Sequence, residues 1–144
     1  MRARMKYASA YLRDGRVFLN PVSETTKGFL ITYEPLVVSG EDDVELGRKV
    51  IWVLSQSTVN VPHPESWGGR SNAMAKAAGF RSYEAFADLA KCVAIGQNDE
   101  GVILTPTKNG GPRKRFLHLK DKIRCQPVES EVAQALRAAF DACE

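Results

Sequence analysis

The dipeptide Asp14-Gly15 separates two apolar-aromatic runs, residues 7–12 and 17–19, and this arrangement restricts the fold more than any other feature of the chain. Asp-Gly favours a two-residue turn because both positions accept positive φ at low cost, so the two runs are predicted to pair as a β-hairpin. A second hairpin is predicted around the polar loop 97–101. Hairpins in both strand-forming parts of the chain favour a largely antiparallel sheet.

Helical periodicity begins after this first group of strands. Acidic residues at 41–43 suit the positive end of a helix dipole, and the apolar positions that follow recur at helical spacing. These positions are Leu46, Val50, Val53 and Leu54. Two short helices are predicted next, one that starts near Ser71 and ends at Gly79, and one that Ser82 caps. The second is expected to place Tyr83, Phe86, Leu89 and Ala90 on one face.

The last predicted helix starts near Ser130, after a second group of strands that includes residues 92–95, 102–104 and 116–119. Its apolar positions form one stripe. They are Val132, Leu136, Ala139, Phe140 and Cys143. The order of elements is therefore strands, three helices, strands and a helix. This order predicts a single α+β domain over residues 1–144, with a mainly antiparallel sheet and three to four helices packed on it.

Composition excludes several classes of protein. The 144 residues are 44% hydrophobic and 26% charged, with a net charge of +3, which is ordinary globular usage. The three cysteines, Cys92, Cys125 and Cys143, are far apart, so they predict neither a disulfide framework nor a zinc cluster. No run approaches the roughly 20 apolar residues that span a bilayer. We expect a cytoplasmic protein with no cofactor and no metal.

Residues that support catalysis are few. His63 and His118 would serve as acid and base only if the fold brought them together, and Cys92 with His118 would be a nucleophile and its base. Neither pair lies in a local motif of an enzyme. The favoured interpretation is a loop histidine, a strand histidine and a core cysteine, so we expect no catalytic site.

Two charge clusters have candidate binding roles, although such clusters are usually solvated faces. The first is acidic and includes Glu41, Asp42, Asp43 and Glu45. The second is the basic segment 108–124, in which seven Lys and Arg residues oppose Asp121 alone. Complementary charge accelerates association and selects partners, so either cluster is a candidate docking surface. The acidic cluster is preferred, together with Trp67, which lies on a loop rich in proline and glycine.

Several segments, taken in order, resemble the immunity proteins of bacterial contact-dependent growth inhibition. Gly28-Phe29 leads to Glu34-Pro35, and residues 61–64 read VPHP. The most characteristic segment is residues 76–86, KAAGFRSYEAF, which ILTPT and a glycine-containing loop follow from residue 103. Tyr83 stands where such sequences often have tryptophan. The resemblance covers residues 18–140, and the order and spacing of the segments carry it.

This resemblance implies a function without catalysis. Such a protein binds the C-terminal toxin domain of a CdiA exoprotein in the cytoplasm, in a 1:1 complex, and is a monomer when free. The toxin domains are commonly nucleases, and the immunity protein blocks the active site or access of the substrate. The alternative is a small RNA-binding or nuclease-like protein that uses residues 108–124, although this segment lacks the interleaved aromatic residues of an RNA platform.

Overall fold

The computed structural model describes residues 5–32, 37–39, 42–63, 72–112 and 115–144. Its strands are β1 (Lys6–Arg13), β2 (Arg16–Glu24), β3 (Leu30–Thr32), β4 (Val37–Ser39), β5 (Lys91–Asn98), β6 (Gly101–Lys108), β7 (Leu117–His118) and β8 (Ile123–Cys125). Its helices are α1 (Asp43–Ser55), α2 (Asn72–Ala78), α3 (Tyr83–Ala87) and α4 (Glu129–Ala142). The predicted order of strands, three helices, strands and a helix is confirmed.

The strands form one antiparallel sheet around two long hairpins. Its central order is β2-β1-β5-β6, with β3 and β4 on the outer side of β2 and with β7 and β8 on the outer side of β6. Asp14 and Gly15 have φ of 53° and 75° between β1 and β2, which confirms the predicted turn. The second predicted hairpin is also confirmed, because β5 and β6 pair from Asn98↔Gly101 onward.

β2 and β6 are longer than the predicted runs, and each continues through a proline. Pro21 pairs with Ala8 of β1, and Pro106 pairs with Val93 of β5. On the outer side, Pro21 falls between the residues that pair with β4 and those that pair with β3. Pro106 falls likewise between the partners of β8 and β7. A missing N–H costs little where no outer strand requires it, which explains why proline is tolerated here.

The two faces of the sheet carry two separate hydrophobic cores. Ala10 pairs with Leu19 and Val93, and all three pack with α1 and α4 on the first face. The next residue of β1, Tyr11, points to the second face, because side chains alternate along a strand. There it joins Phe86 and the small residues of α2 in the second core. The α2–α3 pair covers only the end of the second face near Tyr11.

Most of the predicted core positions are buried. Val132, Leu136 and Phe140 are buried on α4, and so are the four predicted positions of α1. Ser82 caps α3 as expected, its hydroxyl accepting the Ala85 N–H at 3.2 Å. Leu89 was placed on the core face of α3, and this is wrong. The helix ends at Ala87, so Leu89 follows it and is 76% exposed.

Gly47 lies in close contact with the start of α4. A methyl group on Gly47 would overlap the backbone of Glu129 at the start of α4, including its carbonyl oxygen. We expect Gly47→Ala to lower the free energy of unfolding by about 1–3 kcal/mol, because the helices must separate. Alanine in a free helix would instead add about 1 kcal/mol of stability. Urea unfolding separates the two results, and an unchanged or raised stability would contradict the close approach.

Candidate partner-binding surfaces

Carboxylates cluster at the start of α1. We call this set the acidic helix start: Glu41, Asp42, Asp43 and Glu45. Asp42 is the N-cap, and its carboxylate accepts the Glu45 N–H at 2.9 Å. Asp43 accepts the Nε–H of Arg137 at 2.6 Å, which ties α1 to α4. Glu45 forms an ion pair with Arg48 at 2.8 Å.

The three described members of the acidic helix start therefore have partners within the chain. Their side chains are still largely accessible, with Asp43 at 43% and Glu45 at 35% exposure. Exposed pairs of this kind contribute about 0–1 kcal/mol each, so they leave the carboxylates able to exchange partners. A toxin contact at this set stays a prediction. Glu41 and Trp67 lie outside the described residues.

The basic segment 108–124 divides into parts with different roles. Arg115 is nearly buried, and its guanidinium donates to Glu84 at 2.8 Å, to Asp88 at 2.9 Å and to the side chain of Asn109 at 2.9 Å. It holds the loop after β6 against α3, so its charge serves the fold. Arg113 and Lys114 lie outside the described residues. Lys108 and Lys120 are exposed.

The remaining basic residues lie on a hollow in the second face of the sheet, beyond the end that α2 and α3 cover. We call this hollow the concave face, and its volume is about 430 Å³. Its apolar lining includes Tyr7, Val22, Leu30, Ala94 and Ile103, and its nitrogen-bearing side chains are His118, Lys122 and Arg124. Five adjacent strands and the short strands beside β6 contribute to it. Sequence reasoning missed this surface because only the register brings these residues together.

The structure separates the two histidines that were considered as an acid and base pair. Nδ1 of His63 hydrogen-bonds Thr25 Oγ1 at 3.0 Å, and its ring lies 5.3 Å from that of Phe29 near the start of β3. His118 belongs to β7, at the opposite end of the sheet order. Among the described residues, no group of three or more His, Cys, Asp or Glu side chains is placed to hold a metal ion. None of the helices in this part of the chain has the length and apolarity to cross a membrane.

Cys92 lies in the second core, as predicted for a small core residue. Burial raises the pKa of its thiol to about 12, and the neighbouring Cys143 adds to the shift. A thiol needs its thiolate to react, so Cys92 is a poor nucleophile at neutral pH. Because the folded state holds this proton more tightly, the stability linked to it is present below about pH 9 and is lost as the pH rises toward 12.

We therefore expect Cys92 to react with a thiol reagent only when the protein unfolds. At pH 8, a pKa near 12 leaves on the order of a thousandfold less thiolate than an unfolded cysteine has. The measurement is the time course of labelling by a coloured disulfide reagent, with and without urea. Cys92→Ser is the control, and it should remove one slow site. Rapid labelling of Cys92 in the native protein would contradict its burial.

The fold has known counterparts among solved structures. A Neisseria meningitidis protein of unknown function superposes with a TM-score of 0.81 at 14% identity, and the match covers 100% of this chain and 98% of that one. A chain of the CdiA-CT/CdiI toxin and immunity complex from Yersinia pseudotuberculosis gives 0.77 at 17% identity, with 100% of both chains covered. No family model and no curated protein sequence matches the chain. The likeness is thus one of fold.

Proposed function

We propose that this protein is an immunity protein that binds and neutralises the C-terminal toxin domain of a contact-dependent growth inhibition exoprotein. The observation that carries the proposal is the full-length similarity to a chain of a toxin and immunity complex. The segments from Gly28 to residue 107 that resemble this class of immunity protein agree with the proposal.

Neutralisation by binding requires a stable surface and rapid association. Electrostatic attraction raises association rates to about 10⁸–10⁹ M⁻¹s⁻¹, which suits a protein that must capture a toxin before damage accumulates. The acidic helix start and the concave face both carry charged side chains that suit this role. We infer a non-enzymatic, cytoplasmic protein that forms a 1:1 complex with a nuclease toxin and covers its active site or the path of its substrate.

The proposal is tested by protection of cells. A cognate toxin domain, sought among the genes adjacent to this one, is expressed in a host cell together with this protein or with an immunity protein of another toxin type. Growth restored by this protein alone is the expected result, since immunity proteins act on their own toxins. Equal growth arrest with both proteins would remove the proposed function.

The acidic helix start has its own test as a toxin contact. Asp42→Asn together with Glu45→Gln removes two charges, and asparagine keeps the N-cap. We expect the melting temperature to stay within a few degrees while the affinity for the toxin domain falls, by roughly tenfold for lost charge pairs. Asp42→Ala is the control for stability, because it removes the cap at a cost of about 1 kcal/mol. Unchanged affinity in the folded double variant would exclude this surface from the interface.

A further inference from the structure

The concave face is an apolar sheet surface that the described chain leaves uncovered. Antiparallel sheets commonly turn one face to water, but such faces carry alternating polar side chains. Here Val22, Ala94 and Ile103 point into the hollow, and Leu30 at its edge is 54% exposed. Ser9 and Thr105 add hydroxyl groups to the lining, and the exposed apolar side chains beside Lys122 and Arg124 make this hollow a candidate interaction site.

The charges that line this hollow have one sign. None of the described residues that line it is acidic, whereas three are basic or histidine. Lys122 donates to the Thr105 hydroxyl at 3.4 Å. Arg124 makes no ion pair and no hydrogen bond with any described side chain. The acidic helix start differs, because its described carboxylates are already paired within the chain.

A cation beside an apolar surface gains most from a partner that brings a carboxylate. Covering the surface removes water, lowers the local dielectric constant and strengthens the charge pair that forms. Arg124 also borders a neighbouring hollow that contains Glu100 and Glu131, yet no ion pair joins it to either. Its guanidinium is therefore open to a bidentate contact with an incoming carboxylate.

We propose that the concave face receives a segment of the toxin domain in which an apolar side chain is flanked by carboxylates. This inference rests on the proposed function and adds a second contact surface to the acidic helix start. The apolar side chain packs against Val22, Ala94 and Ile103, while the carboxylates pair with Lys122 and Arg124. Single-stranded nucleic acid fits this surface less well, because it stacks on several aromatic rings and the described lining residues offer two rings, the Tyr7 phenol and the His118 imidazole.

The test reverses the charges of the concave face. Lys122→Glu with Arg124→Glu is compared with Lys120→Glu, which reverses one charge on an exposed residue outside the lining. Each protein is titrated against the purified cognate toxin domain that the proposed function requires, after thermal melting confirms its fold. We expect the double variant to bind at least about tenfold more weakly and the Lys120 variant to bind as the wild type does. Should the double variant unfold, the neutral pair Lys122→Gln and Arg124→Gln replaces it.

The outcomes separate the two proposals. If the wild-type protein binds the toxin domain and the folded double variant binds it equally well, the concave face is not the interface and the immunity function stands. If the wild-type protein does not bind the toxin domain, the proposed function fails, and this inference fails with it. Bulk RNA at low salt is the second probe. RNA binding by the wild type that is lost in the double variant would overturn the choice of a protein partner.

Discussion

Phe86→Ala is expected to lower the free energy of unfolding by about 3–5 kcal/mol. The Phe86 side chain has no exposed surface, and it is the centre of the second core. Its ring centroid lies 5.5 Å from those of Tyr11 and Phe18 and 5.9 Å from that of Phe80. Truncation removes these contacts together and leaves a cavity that the short helices α2 and α3 cannot fill.

Leu89→Ala is the matched control for that measurement. Leu89 lies three residues further along the chain but is 76% exposed, so its truncation is expected to change stability by no more than about 0.5 kcal/mol. Urea unfolding of both variants gives the comparison. A loss at Leu89 as large as that at Phe86 would contradict the position of the second core.

Leu136→Ala is expected to cost about 2–5 kcal/mol. Leu136 is fully buried on α4, in the first core that α1, α4 and the sheet share. The exposed neighbour Gln134 supplies the control, since Gln134→Ala keeps the helix and removes no core contact. Similar unfolding free energies for the two variants would show that α4 does not pack on the sheet through this stripe.

The sequence alone was enough to predict the hairpin turns and the buried faces of α1 and α4. Periodicity of 3.6 residues identifies a helix face, and the stripe through Val132, Leu136 and Phe140 is confirmed. Turn chemistry was equally informative, because positive φ at Asp14 and Gly15 follows from the residue types. Both signals come from residues close together in the sequence, so they predict structure without knowledge of the tertiary fold.

The sequence alone was not enough to predict features that depend on which strands lie side by side. Pro21 and Pro106 lie within strands because their outer sides fall between two short partners, and no local pattern reveals such a gap. Arg115 was grouped with a basic docking surface, although Glu84 and Asp88 bind it within the fold. The concave face depends in the same way on the register of β1, β5 and β6.

Calorimetric titration of the purified protein with the cognate toxin domain that the proposed function requires tests that function most directly. A 1:1 complex with a Kd of roughly 10 nM or tighter is expected, which is usual for stable inhibitory complexes. An immunity protein of another toxin type is the control and should give no binding heat. Absence of a complex between the two folded proteins, at micromolar concentrations of both, would contradict the proposed function.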